Sequence, residues 1–142
     1  MPSKFCGCPS LVVCIRLLWV IRNGEGLKEA VAGLESIIAS DLPHLSIQTQ
    51  TRTYDKEWID SMELKRLALI LLASARSALL RTESRGVHYR ADYPKTDKDR
   101  WLKETIVRQV NQKLTLRTCP ITVTRMKPPE KVQFRGRDSK RR

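Results

Sequence analysis

The apolar residues in the first half of the chain recur at helical spacing and form a single stripe. They lie three or four positions apart over about four turns, which is typical of a helix with one buried face: Leu27, Ala30, Val31, Leu34, Ile37 and Ile38. Asn23 precedes the stripe and can cap the helix, because its side-chain oxygen can accept a hydrogen bond from an unpaired backbone N–H. Residues 40–43, Ser-Asp-Leu-Pro, end the helix, since the residue before a proline avoids helical backbone angles.

A second, longer pattern predicts a helix from Lys56 to about Arg85, capped by Asp55. Gly86 stands where the end of such a helix needs a residue with positive φ, and Pro94 blocks any continuation. Two apolar stripes predict burial over much of the circumference, as in the central member of a helix bundle. The first stripe is Trp58, Ile59, Met62, Leu69, Leu72 and Ala73, and the second is Leu64, Leu67, Ala68, Leu71, Ala75, Ala78 and Leu79.

The segments outside the two helices are read from weaker patterns. His44 to Tyr54 is polar and without a clear period, which indicates a surface crossover with His44 exposed to solvent. From Glu104 the apolar residues alternate, which predicts a two-stranded hairpin turning at residues 111–112 and broken at residues 119–120, Cys-Pro. An isolated hairpin is marginal in water, so this one must lie on another element.

The N-terminal segment carries three of the four cysteines, Cys6, Cys8 and Cys14, followed by an apolar run. Residues 11–21 are too few to span a membrane, which takes about 20 residues, and no small-residue cleavage site of a secretory signal follows. A partly buried first helix fits this segment better. A metal site would need the distant Cys119 or a histidine as its fourth ligand, so structural cysteines with free thiols in a reducing compartment are favoured.

The charge of the chain is strongly positive and uneven. The 142 residues carry a net charge of +12, and half of it falls between Arg125 and Arg142, where few apolar residues occur. An extended or disordered tail is expected there. A basic protein can bind nucleic acid, so that function stays open as an alternative. The tail contains no groove-reading motif and no interleaved aromatic residues, and tight nucleic-acid binding at physiological salt would be needed to favour this alternative.

Charged and aromatic side chains are most concentrated in residues 77–94, S-A-L-L-R-T-E-S-R-G-V-H-Y-R-A-D-Y-P, at the end of the long helix. His88 lies among arginines and carboxylates that could hold a dicarboxylate or move a proton. The alternative, which the sequence favours, is that Arg85 and Arg90 form ion pairs that fix the loop and present it to a partner domain. The candidate interface residues are Arg81, Glu83, Arg85, His88, Tyr89, Arg90 and Asp92.

Four segments together resemble the C-terminal domain of the succinate dehydrogenase and fumarate reductase flavoprotein subunits, which L-aspartate oxidase shares. They are I-R-N-G-E-G-L (21–27), R-T-Y-D-K-E-W-I-D (52–60), the 77–94 segment and W-L-K (101–103). The resemblance covers roughly Val20 to Glu130 and does not extend to the first 19 residues. It implies a mainly α fold, a three-helix (spectrin-repeat-like) bundle followed by a β-hairpin or extended segment and a basic tail.

The resemblance also implies a function and an organisation. The expected domains are a divergent N-terminal segment (1–21), a helical domain with a terminal hairpin (22–126) and a basic flexible tail (127–142). In the family, this domain packs against the FAD-binding domain and helps to form the surface that meets the iron-sulfur subunit, in the cytoplasm or peripherally at the membrane through partner subunits. The family's catalytic and flavin-binding residues lie in other domains. We therefore expect no catalytic, cofactor or metal residues here, and a colourless, redox-silent protein without its FAD-bearing partner.

Overall fold

The computed structural model describes residues 14–16, 18–46, 55–111 and 113–122. Two helices, α1 and α2, form the centre of this part of the chain, and two small two-stranded sheets flank them. The helices are α1 (Gly24–Ser36) and α2 (Lys56–Leu80), the parallel pair is β1 (Ile21–Arg22) with β2 (Tyr89–Arg90), and the antiparallel pair is β3 (Lys103–Val110) with β4 (Lys113–Pro120).

The start of α1 and its buried stripe are as predicted. The side chain of Asn23 accepts a hydrogen bond of 2.7 Å from the backbone N–H of Gly26, which satisfies one of the unpaired donors at the start of the helix. Leu27 and Leu34 are fully buried, and Ile37 continues the same face. Burial of each such leucine contributes about 1.5–3 kcal/mol, so this stripe fixes α1 against α2.

The predicted end of the first helix is wrong in its detail. After Ser36 the chain continues through a π-helical turn, Ile37–Asp41, and a 3-10 turn, Leu42–His44. Pro43 lies within the first turn of the 3-10 segment, where its missing N–H is not needed. The buried side chain of Leu42 extends the apolar face and accounts for the continued helical path. His44 is exposed, as predicted.

The second helix begins as predicted, because Asp55 accepts a hydrogen bond of 2.9 Å from the N–H of Glu57. Its burial is one-sided within the described residues. The buried positions are Ser61, Ala68, Leu72 and Ala75, whereas Trp58, Ile59 and Met62 of the first predicted stripe are 36–45% exposed. The small buried side chains let α1 approach closely. Burial over much of the circumference is thus not confirmed.

The predicted C-terminus of the second helix, near Arg85, is wrong. The helix ends at Leu80, and the next residue, Arg81, has extended angles of φ −79° and ψ 115°. Gly86 has the expected positive φ of 57°, but it uses this angle in a later turn rather than in a helix cap. The group that replaces it at the helix terminus is a buried arginine side chain, described below.

The hairpin is confirmed and lies on α2. Its register runs from Lys103 opposite Pro120 to Val110 opposite Lys113, and Asn111 has a positive φ of 49° in the connection. Cys119 is still paired within β4, so the strand ends at Pro120. Leu114 packs against the hydrophobic core, and its carbonyl accepts a 3.2 Å hydrogen bond from Nη1 of Arg76 on α2.

The core combines both helices with the N-terminal residues 14–16, which are helical and contribute the buried Cys14. A partly helical fold with small strand pairs is therefore confirmed, and the mainly α, three-helix bundle remains a prediction. The predicted basic tail (127–142), Cys6, Cys8 and residues 47–54 of the crossover lie outside the described residues. Among the described helices, none is long and apolar enough to cross a membrane.

Candidate functional site

The candidate site is the charged corner, defined as Arg22 together with residues 81–101. It begins where α2 ends, at a buried guanidinium. Arg90 is 3% exposed, and its Nη1 lies 3.0–3.4 Å from the carbonyl oxygens of Ala78, Leu79 and Arg81. The last carbonyls of a helix have no partner within it and carry its negative dipole end. Arg90 therefore caps α2 with a positive charge, which explains why no glycine is needed there.

The same arginine connects the end of α2 to the start of α1. Its Nε donates to Oδ1 of Asp92 at 3.0 Å, and its Nη2 donates to Oδ2. A Cβ placed on Gly24 would lie 3.0 Å from both Nη2 of Arg90 and Oδ2 of Asp92, so the ion pair packs against the first turn of α1. Hydrogen bonds from Arg90 hold the pKa of Asp92 below its usual value against the opposing effect of burial, and the Gly24 N–H adds to this shift.

A second buried carboxylate, Glu83, fixes the loop that follows α2. Its side chain is fully buried and accepts hydrogen bonds from Nη1 of Arg81 and from Nε of Arg85 at 2.9 Å. The backbone N–H of Asp97 donates to Oε2 at 2.8 Å. Burial by itself would raise the pKa of Glu83. The bond from Arg85, the Asp97 amide and the charges of both arginines outweigh it, so the pKa lies below its usual value.

The two arginines that bind Glu83 also make contacts of their own. Nη2 of Arg81 donates to the carbonyl of Lys103 in β3 at 2.8 Å, and its guanidinium lies 5.2 Å from the ring centre of Trp101. The hydrogen bond from Arg85 to Glu83 is the main cause of a raised pKa of Arg85. The charges of this network are thus paired within the chain. The hydrogen bond from Arg81 to Lys103 joins the loop to the hairpin.

His88 is bound to the N-terminal strand through Arg22. Nη1 of Arg22 lies 2.8 Å from Nδ1 of His88. An arginine can only donate, so Nδ1 accepts this bond and the neutral ring carries its proton on Nε2. Nε2 is buried and forms no hydrogen bond with any described residue. Burial is the main cause of the lowered pKa of His88, and the charges of Arg22, Arg81 and Arg90 lower it further. The backbone of Arg81 acts in the opposite direction and raises the pKa of His88 to a smaller extent.

A largely open cavity of about 390 Å³ adjoins this pair. Its lining comes from the charged corner, from α2 and from Leu18. The corner contributes Arg22, Arg81 and His88, and α2 contributes Leu71, Ser74, Ser77 and Ala78. Burial lowers the pKa of Arg22, and Arg22 forms no ion pair with any carboxylate in the described part of the chain. The cavity is mainly apolar with one uncompensated cation. A ring held neutral with its acceptor nitrogen occupied is poorly placed to accept a proton from a substrate.

The structure brings the seven predicted interface residues together, but not all at the surface. Glu83 and Arg90 are buried within this chain and act on their neighbours, whereas Tyr89 is 40% exposed. The side chain of Arg85 is 38% exposed and that of Asp92 35%. Their assignment as an interface stays a prediction. Sequence reasoning missed Arg22, although it lies in the I-R-N-G-E-G-L segment, and it missed Asp97, whose role depends on a backbone amide that no side-chain pattern reveals.

The cysteines give no support to a metal centre in the described residues. Cys14 is buried and Cys119 half-buried, and neither forms a disulfide within the described residues. No group of three or more histidine, cysteine, aspartate or glutamate side chains lies close enough to hold a metal ion in the part of the chain that the structure describes.

Comparison with known proteins identifies the region of a larger protein to which this fold corresponds. A family model described as "Fumarate reductase flavoprotein C-term" matches residues 15–135. The fumarate reductase flavoprotein subunit of Mycobacterium tuberculosis is 32% identical over 117 residues, which are 82% of this chain and 20% of that protein. The corresponding subunit of Helicobacter pylori is 36% identical over 87 residues, 61% of this chain and 12% of the relative.

The structural comparison agrees with the sequence comparison. The FrdA chain of an E. coli quinol fumarate reductase variant superposes with a TM-score of 0.71 at 20% identity, covering 78% of this chain and 19% of FrdA. The chain spans 12% to 20% of the length of these relatives. On the family match over most of its length, the chain belongs to the family of fumarate reductase and succinate dehydrogenase flavoprotein C-terminal domains.

Proposed function

We propose that this chain is a docking and structural module for the FAD-binding part of a succinate dehydrogenase or fumarate reductase type of flavoprotein, with no complete active site of its own. The observation that carries the proposal is the state of the charged corner. Its buried ions, Glu83 and Arg90, have their bonding capacity used by the chain itself. Charged groups committed to internal ion pairs fix the loop and leave few free bonding atoms for a substrate.

The other parts of the proposal follow from the family. We further propose that α1 and α2 are two members of a three-helix bundle; the helical residues 14–16, with Cys14 in the core, support an N-terminal third member. FAD belongs to the partner region and not to this chain. The iron-sulfur subunit is a second partner, and any association with a membrane is peripheral and made through partner subunits.

The test is co-expression of this chain with the FAD-binding region of the M. tuberculosis fumarate reductase flavoprotein subunit, truncated before its own matching C-terminal segment. We expect the purified chain alone to be colourless and the affinity-purified pair to contain flavin, seen by its visible absorbance. Fumarate reduction with a reduced dye is expected to be higher in the pair than in the truncated region alone. A chain that neither co-purifies nor raises this activity, or that binds flavin alone, would refute the proposal.

A further inference from the structure

The two-residue strands β1 and β2 form a ribbon whose two faces differ in an unusual way. The inward face consists of Arg22, His88 and Arg90, which bond to one another or to the end of α2. The outward face consists of Ile21 and Tyr89, which are paired in the parallel register, together with the exposed Val87 in the turn that leads into β2.

The outward face is strongly exposed. Val87 is 85% exposed, Ile21 70% and Tyr89 40%, and the preceding Trp19 and Val20 are 68% and 53% exposed. Val87 occupies the tip of a tight turn closed by two hydrogen bonds between Arg85 and His88, of 2.8 and 3.0 Å. A turn tip usually carries polar residues, since it lies in solvent. Here the positive φ of Gly86 provides the turn, and the β-branched side chain next to it is held outward.

This arrangement reverses the usual order of a small sheet, in which apolar side chains face the core and charged ones face water. A two-residue parallel ribbon also has little stability of its own, because parallel sheets are normally covered on both faces. Clustered exposed apolar side chains mark an interaction site. The ribbon is rigidly anchored from behind by the ion pairs of the charged corner, so the apolar side chains are presented in one fixed arrangement.

The position of the ribbon indicates what covers it. The family match begins at residue 15, just before Ile21, and in each relative at least four-fifths of the polypeptide lies outside the matching part. In those relatives the preceding region therefore enters the domain next to the apolar face. A second copy of this chain is a poorer occupant, since each copy has a net charge of +12 and the guanidinium groups lie directly behind the face.

We propose that Ile21, Val87 and Tyr89, with Trp19 and Val20 beside them, bind an apolar surface of the FAD-binding region of the flavoprotein. This inference rests on the proposed function and adds to it the surface that docks. The interface is apolar at its centre, and the charged corner acts from behind by fixing the ribbon. The residues earlier regarded as the interface, Glu83 and Arg90 above all, act as positioning residues.

The test compares two substitutions of exposed apolar residues in the full chain. Val87→Asp places a carboxylate in the proposed interface, and Ile70→Asp places one on the solvent side of α2, where Ile70 is 62% exposed. The binding partner is the truncated FAD-binding region of the M. tuberculosis relative. We expect Val87→Asp to raise the Kd by at least about tenfold and Ile70→Asp to change it by less than about twofold. Thermal unfolding of both variants verifies that they fold.

The outcomes separate the two proposals. Full binding by the Val87→Asp variant, whatever the effect of Ile70→Asp, overturns the assigned surface and leaves the docking function standing. Absence of binding by the unaltered chain overturns both. Self-association of the unaltered chain that Val87→Asp abolishes, measured by light scattering, would assign the face to a second copy and overturn the choice of partner. If Val87→Asp fails to fold, Tyr89→Asp provides the same comparison from β2.

Discussion

The helical pair and the charged corner are stabilised in opposite ways. Between α1 and α2 the buried groups are apolar or small, such as Leu34 and Ala68, both fully buried. In the corner the buried residues are polar or charged, Glu83, Ser84 and Arg90, and the apolar side chains of Val87 and of Ile21, next to Arg22 in the chain, are exposed. One region buries its hydrophobic surface within the chain, and the other leaves it exposed.

This difference shows which surface is complete and which is prepared for a partner. Buried ions contribute little net stability compared with apolar residues of similar size, but they leave a large penalty when one member is removed. The corner therefore gains a defined geometry from its ion pairs rather than a large free energy of folding. The following changes test that contrast, in decreasing order of expected effect.

Arg90→Ala is expected to be the most destabilising change, at about 4 kcal/mol, because it leaves three helix-end carbonyls and Asp92 without their partner. The free energy of unfolding from urea titration measures it. The control is Arg100→Ala. The side chain of Arg100 is 86% exposed, and its Nε lies as far as 3.9 Å from Oδ2 of Asp97, so the ion pair is weak. We expect that control to change the stability by less than about 0.5 kcal/mol. Similar values for the two variants would show that Arg90 does not cap α2.

Leu34→Ala tests the helical pair and is expected to lower the free energy of unfolding by about 3 kcal/mol, since it leaves a cavity beside Ala68 and Leu72. The loss should be independent of added salt. A cost below about 1 kcal/mol would show that the helices are not held by this apolar stripe.

Glu83→Gln is expected to cost about 2 kcal/mol. The amide keeps one acceptor for Arg85 but loses the negative charge, and the partly exposed arginines regain some hydration. Urea unfolding measures the loss. Because the carboxylate is missing, acid should then destabilise this variant less than the unaltered chain below about pH 4.5, the ordinary pKa of a glutamate. If the stability of the variant and of the unaltered chain fell equally below this pH, the result would contradict a lowered pKa of Glu83.

Mild acid provides a test of His88. Its pKa in the folded chain is lowered from 6.5, mainly by burial, so the folded state binds fewer protons than the unfolded state in this range. His88 makes its full contribution to the free energy of unfolding above about pH 6.5. This contribution is lost as the pH falls toward the folded pKa, and the free energy of unfolding then changes by up to about 1.4 kcal/mol per pH unit. His88→Asn, whose oxygen can accept the bond from Arg22, should flatten this part of the profile. A parallel profile in the variant would assign the slope elsewhere.

Gly86→Ala is expected to have the smallest effect, about 1 kcal/mol, because a Cβ there meets no atom within 4 Å and only the positive φ of 57° is unfavourable. Thermal unfolding measures the difference. Gly86→Asn should cost less, since asparagine tolerates this angle better. An alanine variant as stable as the unaltered chain would mean that the turn adopts another conformation.

Local chemistry determined which elements could be predicted. The caps at Asn23 and Asp55, the stripe through Leu34 and the hairpin follow from side-chain type and spacing over a few residues. The end of α2 could not be predicted, because its cap is Arg90, ten positions beyond Leu80. The same holds for the role of Arg22, which depends on the pairing of β1 with a strand 68 residues later. Charge density located the corner but did not show that its charges face inward.

Arg90 also couples the C-terminus of α2 to the N-terminus of α1. It holds the carbonyl end of α2 and, through Asp92, lies against the amide end of α1. Fraying of either terminus therefore has to break a bond that restrains the other. Amide protons at both ends should exchange with deuterium at similar, slow rates, and a partner bound at the corner would slow the exchange at both termini together.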